Sequence, residues 1–383
     1  MKHSVTTVCI ILFLVNLYGE WQENGIPIRA GENILWNRTA VTLSDNTVIV
    51  VWSDARNGNR NIYANKIDVN GNMLWEDGIN ITNDEYLQIN PTAIVCSDNS
   101  VIISWVDKRI EFAGDVYAQK ISSEGELLWE EDGVPICTAN DSFSVYYYTI
   151  QIQITSDANG GAYLVWTDAR SSGLSDLYGS HILDDGSIAP GWDVNGNPVV
   201  SESGTQSQHR LCSDGTNGVI VVWSDSREIA SNIYMQRFSP DGTMLWNENG
   251  TLLCDGLMTR DKPKVIPDRQ GNFIFTWRDK RNESDGDIYA QKIDLDGNPL
   301  WGTGLSGIEV YAGDGIQKNP EISCSSDSGA FITWQDNRED YEYSEVYSQK
   351  LDSGGALLWN PEGVSITPQL DDYYSYRSFD ICK

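Results

Sequence analysis

The sequence predicts an all-β fold, a β-propeller of four-stranded antiparallel blades. Three observations predict it: two interleaved tryptophan series at a near-constant period, short apolar runs of strand length ending at the first series, and Asn-Gly or Asp-Gly turns between them. The first series is Trp52, Trp105, Trp166, Trp223, Trp277 and Trp334, and the second is Trp75, Trp129, Trp192, Trp246, Trp301 and Trp359. Within a series the interval is 53 to 63 residues, which is the range of propeller or solenoid repeats. A helical solenoid is disfavoured, because no segment sustains an i, i+3, i+4, i+7 stripe while "VIVVW", "VIISW", "YLVW" and "FIFTW" are apolar strand runs.

Each unit reads as four strands. An entry strand such as Pro91 to Cys96 comes first, a second strand ends at the first tryptophan, the third reads "DIYAQKI", and a fourth runs from "LW" to a "DGxxI" tail. Turn chemistry marks the junctions. Between first and second strands stand "SDNS" at Ser97, "SDANGG" at Ser156 and "SDGTNG" at Ser213; between third and fourth stand "DVNGN" at Asp68, "PDGT" at Pro240 and "DLDGN" at Asp294. Asn and Gly supply the positive φ that tight hairpins require. The complete repeats lie at about 38–82, 90–138, 151–201, 210–255, 263–312 and 320–367.

The ends are out of register. "EWQENGIPI" (Glu20 to Ile28) matches a fourth strand, as "LWNENGTLL" at Leu245 to Leu253 shows, and "YRSFDICK" (Tyr376 to Lys383) matches a first strand. Together they predict an incomplete seventh blade, and hence a chain shortened from a longer protein of at least seven blades. The propeller is expected to span 20–383. Residues 1–19 have the basic start and short apolar run of a secretory signal, too short for a membrane span. A secreted, extracellular or cell-surface monomer with no later transmembrane span is therefore expected.

A formal net charge of −29 argues against nucleic acid and anionic lipid surfaces. Cys96, Cys212, Cys324 and Cys382 share one apolar repeat position, and Cys137 and Cys254 another, so they read as buried free thiols rather than a disulfide framework. No Cys/His cluster suggests zinc. No cofactor is expected; "DLDGN" and "ESDGD" (Glu283 to Asp287) resemble pieces of calcium loops without the full spacing, and hairpin chemistry is the alternative.

W-x-D-x-R recurs as Asp54/Arg56, Asp107/Arg109, Asp168/Arg170, Asp225/Arg227, Asp279/Arg281 and Asp336/Arg338. Catalysis needs one unique constellation, whereas a device present in every blade serves the scaffold, so these pairs read as a latch on the loop before the third strand. Tyr63, Tyr117, Tyr178, Tyr234, Tyr289 and Tyr347 fill one third-strand slot, with Gln119, Gln236, Gln291 and Gln349 two residues on. They read as packing. The repeat, from Trp21 to Lys383, resembles that of secreted bacterial β-propeller proteins, a resemblance that implies the architecture and no single activity. "SSDSGAFITW" (Ser325 to Trp334) approaches the Asp-box of sialidases but departs from it in aromatic spacing.

Loops between second and third strands, and links between blades, share one face and vary: Arg109 to Asp115, Thr138 to Thr149, Arg338 to Glu345 and Pro368 to Arg377. Variable loops on a rigid scaffold mark a binding face. Their tyrosines Tyr146, Tyr147, Tyr148, Tyr341, Tyr343, Tyr373 and Tyr374 are the ligand-binding candidates, since a phenol offers a flat apolar ring and one hydroxyl to a glycan or protein ligand. No catalytic or metal residue is assigned, and His209 alone makes no triad. The alternative is a carbohydrate-active hydrolase or lyase using loop carboxylates such as Glu111, Asp141, Asp371 or Asp372.

Overall fold

The computed structural model describes residues 27–28, 36–109, 114–139, 150–170, 174–282, 286–338 and 344–367. Among them are six four-stranded antiparallel sheets and one short 3-10 turn, with no α-helix. The protein is an all-β propeller-type chain in which every sheet is one blade. The first blade is β1 (Trp36–Thr42), β2 (Val48–Asp54), β3 (Asn61–Ile67) and β4 (Ile79–Asn80); the second is β5 (Gln88–Val95), β6 (Val101–Asp107), β7 (Asp115–Ile121) and β8 (Val134–Cys137). The third comprises β9 (Ile152–Ser156), β10 (Ala162–Asp168), β11 (Asp176–Ile182) and β12 (Asn197–Val200). The fourth is β13 (Gln206–Ser213), β14 (Val219–Asp225), β15 (Asn232–Phe238) and β16 (Thr251–Cys254), and the fifth β17 (Arg260–Pro267), β18 (Phe273–Asp279), β19 (Asp287–Ile293) and β20 (Ile308–Tyr311). The sixth is β21 (Gln317–Cys324), β22 (Ala330–Asp336), β23 (Glu345–Leu351) and β24 (Val364–Ser365). Strands follow one another in chain order across every sheet.

The chain divides into two compact units. The first runs to Ala162 and includes Ile182–Ile188; the second holds Tyr163–His181 and continues from Ala189. Within the first unit, blades one and two share a core of Ile49, Val51, Ile62, Val101, Ile103 and Trp105. In the second, Ile220, Val222, Phe273, Phe275 and Trp277 join blades four and five, and Ile274, Val310, Ile332 and Trp334 join five and six. The second strands β6 and β14 are buried along their whole length, as strands covered on both faces are. Each first-series tryptophan is fully buried, and at about 25 cal/mol per Å² a side chain of this size contributes roughly 4–6 kcal/mol before entropy.

The turns use the residues the sequence offers. In the Asp294–Asn298 hairpin, Gly297 takes φ +89° and the Asp294 carboxylate accepts the amides of Asp296 (3.0 Å) and Asn298 (2.8 Å). These bonds are ordinary hairpin chemistry, in which an Asp side chain accepts the amides of its own turn. No group of three or more metal-ligating side chains occurs among the described residues. Cys96, Cys137, Cys212, Cys254 and Cys324 are thiols rather than disulfide partners, and burial pushes the Cys254 thiol up to about 12. No described helix is long and apolar enough to cross a membrane.

In every blade but the third the first strand starts two to four residues ahead of the repeat boundary, because it carries a one-residue bulge that lets pairing resume beyond it. In β5, Ile89 pairs with Val106 and Thr92 with Ser104, so Asn90 and Pro91 together oppose Trp105. Gln208 and His209 oppose Trp223 in the same way, Lys262 and Pro263 oppose Trp277, and Asn319 and Pro320 oppose Trp334. Proline is tolerated there because a bulge residue owes the ladder no N–H.

Candidate functional site

Tyr146, Tyr147, Tyr148, Tyr341, Tyr343, Tyr373 and Tyr374 lie outside the described residues, as do Glu111, Asp141, Asp371 and Asp372. So do the chain ends proposed to share a seventh blade, apart from Pro27 and Ile28, and Glu283 to Asp285 of the second calcium-like fragment. What the structure describes is the frame beneath those loops.

The repeated Asp and Arg form one constellation in all six blades. The Trp277 indole donates to Asp279 Oδ2 (3.0 Å), the Arg281 amide donates to Asp279 Oδ1 (2.9 Å), and the Arg281 guanidinium pairs with the same carboxylate. The arginine then reaches past its own loop and donates to the Ser306 carbonyl (2.8 Å), as Arg56 does to Asp77 (2.7 Å) and Arg227 to Asn249 (2.9 Å). Its guanidinium carbon lies 4.1 Å from the centre of the Tyr289 ring, which stacks on Trp277. One side chain thereby ties the second, third and fourth strands of a blade together. Hydrogen bonds from Arg281 and Trp277 outweigh burial and hold the Asp279 carboxyl below the usual range, so the pair stays ionised.

In the third blade the latch reaches beyond the loop before the third strand. The Arg170 amide donates to Asp168 Oδ1 (2.9 Å), and its guanidinium pairs with the Asp168 carboxylate. Arg170 Nη1 then donates to the Asn195 carbonyl (3.0 Å), in the turn that enters β12, and its guanidinium carbon lies 4.2 Å from the centre of the Tyr178 ring. Residues 171–173 of the loop lie outside the described residues, so what Arg170 is seen to hold is the entry to the fourth strand. The physical reason is reach: a guanidinium presents several N–H groups in a fixed fork, enough to grip Asp168 with one edge and a carbonyl beyond Tyr178 with another. Arg109 does the same with the Asp132 carbonyl (2.9 Å), and Arg338 with that of Glu362 (2.7 Å).

Behind this constellation, between blades, lies a buried polar layer. In the fourth blade the Gln206 amide nitrogen faces the Ser175 carbonyl (3.2 Å) and Asp176 Oδ1 (3.0 Å). In the fifth blade Arg260 stands in the glutamine's place, donating to Asp279 Oδ2 (3.0 Å) and Asn232 Oδ1 (3.3 Å). Asp176 thus faces a neutral bridge and Asn232 a cationic one. Burial, and then the charges of Asp168 and Asp225, push the Asp176 carboxyl up to about 6. A carboxyl titrating there has the pKa of a general acid, yet Asp176 is sealed in the protein interior, where no substrate reaches it.

The first strands of the second unit carry a feature the motif reading missed. Their bulge residues Gln208, Lys262 and Asn319 are non-glycine residues held at φ +55°, +58° and +51°, conformations that cost about 1–3 kcal/mol and concentrate at functional positions. Gln208 Oε1 accepts the Lys262 amide that its bulge frees from the ladder (2.7 Å), and Asn319 donates to Gln335 Oε1 (2.8 Å). Lys264 pairs with Glu321 across β17 and β21, and Arg278 holds Asp261 through two bonds of 2.7 and 2.5 Å. The strands β13, β17 and β21 together bear five basic residues against two acidic ones; Arg260 is buried against Asp279 and Lys264 is paired with Glu321, so the basic row they leave is Arg210, Lys262 and Lys318, in a chain of net charge −29. Gln206, Arg260 and Gln317 pair with the aspartates that end the second strands, so the bulges lie at the strand ends from which the variable loops leave. In the first unit Asn37 and Asn90 hold the same bulge, at φ +38° and +54°, and are hydrogen-bonded to each other. The dipeptides Asn90-Pro91, Lys262-Pro263 and Asn319-Pro320 were the signal available in the sequence.

His209 fills the proline position of its bulge. It is fully buried, its Nε2 lies 2.9 Å from the Val165 carbonyl, and its Nδ1 has no hydrogen-bond partner. Since a carbonyl only accepts, Nε2 carries the proton. Burial depresses the ring's pKa to about 3, so it is neutral at physiological pH.

No family model and no curated protein matches this sequence. Among solved structures, the chain is similar to a polysaccharide lyase described as a PL25 ulvan lyase, with a TM-score of 0.54 and 8% identity over 83% of this chain and 79% of that one. A PL25 ulvan lyase bound to -[GlcA(1-4)Rha3S]- gives a TM-score of 0.51 at 7% identity over the same shares. At these identities the likeness is one of fold.

Proposed function

We propose that the chain is a secreted or surface-displayed binding module for glycans, and specifically for acidic ones. The observation that carries this reading is the basic row on β13, β17 and β21 within a strongly acidic chain. A local excess of cations that persists against a net charge of −29 is suited to a carboxylated or sulfated sugar, whereas the remaining surface repels other polyanions. Gln208 and Asn319 offer planar amides for hydroxyls, and the tyrosines of the variable loops would supply rings for stacking. The ulvan lyases lend this proposal their fold and not their chemistry.

The test is calorimetric titration of the full chain with oligogalacturonate and, beside it, a neutral cello-oligosaccharide. The expected result is binding of the acidic sugar alone, weakened about tenfold by Lys262→Glu and further by salt. Equal binding of the neutral sugar, or indifference to both Lys262→Glu and salt, would refute it. Accumulation of shortened or unsaturated oligosaccharide in the same cell would replace the binding module with an enzyme.

A further inference from the structure

The bulges of β13, β17 and β21, all within the second unit, are one structural position met three times. Gln208, Lys262 and Asn319 stand first in them, at φ +55°, +58° and +51°, each opposite the buried tryptophan of its own second strand. The three strands also lie in matching register. Gln208 meets Lys262 at the bulge, and Lys264 and Glu321, two residues beyond it, pair across β17 and β21. Lys262 and Asn319 are therefore neighbours across the junction of blades five and six, as Gln208 and Lys262 are across that of four and five.

At the earlier junction donor meets acceptor. The Lys262 backbone amide, turned out of the ladder by its bulge, donates to Gln208 Oε1 (2.7 Å). At the later junction the same bulge presents the Asn319 backbone amide, but the side chain in the glutamine's place is Lys262, whose ammonium has three donors and no acceptor. The Asn319 side chain is turned to its own blade, where Nδ2 donates to Gln335 Oε1 (2.8 Å). Two donors thus come together where the preceding junction pairs a donor with an acceptor.

The acidic groups of these strands are already answered by other cations. Arg278 holds Asp261 through two bonds of 2.7 and 2.5 Å, Lys264 pairs with Glu321, and Asp279 takes both Arg260 and Arg281. The Lys262 ammonium is left without a carboxylate on β17 or β21.

We infer that the junction of blades five and six is a carboxylate-binding site, in which a ligand oxygen takes the place that Gln208 Oε1 takes one blade earlier. That oxygen accepts the Asn319 backbone amide and a hydrogen bond from the Lys262 ammonium. A carboxylate meets both demands, since its oxygen is trigonal and planar like that of the amide and its charge answers the lysine. The inference rests on the reading of the chain as a binder of acidic glycans; it names the acidic group as the carboxylate of a uronic acid and gives it a position.

The experiment follows the Asn319 backbone amide by NMR in the full chain carrying isotope-labelled asparagine, titrated with acetate and with oligogalacturonate, with calorimetry beside it. Expected are a downfield shift of that amide with both probes and a loss of at least tenfold in oligogalacturonate affinity with Lys262→Gln, whose new amide oxygen closes the site from within. Lys262→Arg should stay within about threefold of the wild type, because it keeps the charge. The melting temperature of Lys262→Gln should not fall, because the substitution reproduces the junction of blades four and five; a lysine serving only the scaffold would lower it. An Asn319 amide that stays in place while oligogalacturonate binds, or full affinity in Lys262→Gln, would overturn the inference and leave the glycan reading intact. A shift with acetate and none with oligogalacturonate would sink the glycan reading and leave the site standing. Silence toward both probes would give the two donors to a carboxylate of this chain and overturn the proposal, and tighter binding of a sulfated oligosaccharide through the same amide would overturn the choice of a carboxylate.

Discussion

His209 makes the protein's stability depend on pH between about 7 and 3, with a sign opposite to that of Asp176. In the fold its pKa is about 3; in the unfolded chain it returns to about 6.5. A histidine depressed in the native state contributes stability that is complete above the unfolded value and lost as pH falls toward the folded one. At about 1.4 kcal/mol per unit, lowering the pH from 7 to 5 removes about 2 kcal/mol, and full protonation of the unfolded state near pH 3 removes about 5 kcal/mol. The matched perturbation is His209→Pro, because Pro91, Pro263 and Pro320 occupy the equivalent bulge position. At pH 7 that variant should lose about 1–3 kcal/mol, from the unsatisfied Val165 carbonyl and the vacated ring volume. Urea unfolding of both proteins at pH 7 and pH 5 then isolates the histidine, since every other titration is common to them. The wild type should lose about 2 kcal/mol more than His209→Pro between the two pH values. Equal losses, within about 0.5 kcal/mol, would show that the ring is not held neutral by its burial.

Three further outcomes are expected. Asp279→Ala strands two guanidinium groups, Arg260 and Arg281, and should cost about 3–5 kcal/mol in urea unfolding while leaving any glycan affinity unchanged in calorimetry. Asp176→Asn should stabilise the protein by about 1–3 kcal/mol above pH 6, where the buried carboxylate is ionised at a cost; the gain should vanish below about pH 4, where both folded and unfolded carboxyls are protonated. A Cβ at Gly250 would lie 2.5 Å from Trp223 Cη2, so Gly250→Ala should cost at least about 3 kcal/mol. Gly271→Ala, with the same sign of φ and no atom within 4 Å, should cost only the backbone strain of about 1–2 kcal/mol.

Trp52 to Trp359, the Asn-Gly and Asp-Gly turns and the "DIYAQKI" strands made six four-stranded sheets legible in the sequence. Turn and strand preferences act over a few residues, and a repeated error would have to recur six times. The Trp-Asp-Arg-Tyr grouping was partly legible, because Asp279 and Arg281 are neighbours along the chain; the carbonyl of Ser306 that Arg281 grips is not, nor is that of Asn195 for Arg170. The candidate tyrosines came from loop variability alone, and the described structure instead drew attention to Gln208, Lys262 and Asn319. Their significance arises only when successive first strands, more than fifty residues apart, are laid side by side and a bulge turns a free amide toward the neighbouring blade. The same distance hid the contact of Trp301 with Gly355, ordinary residues until one blade lands on the next. Local chemistry, written in consecutive residues, determined the blades. Contacts between blades, which depend on carbonyl directions and on the burial of charge, were decided only by the tertiary structure, and the neutrality of His209 belongs to that second kind.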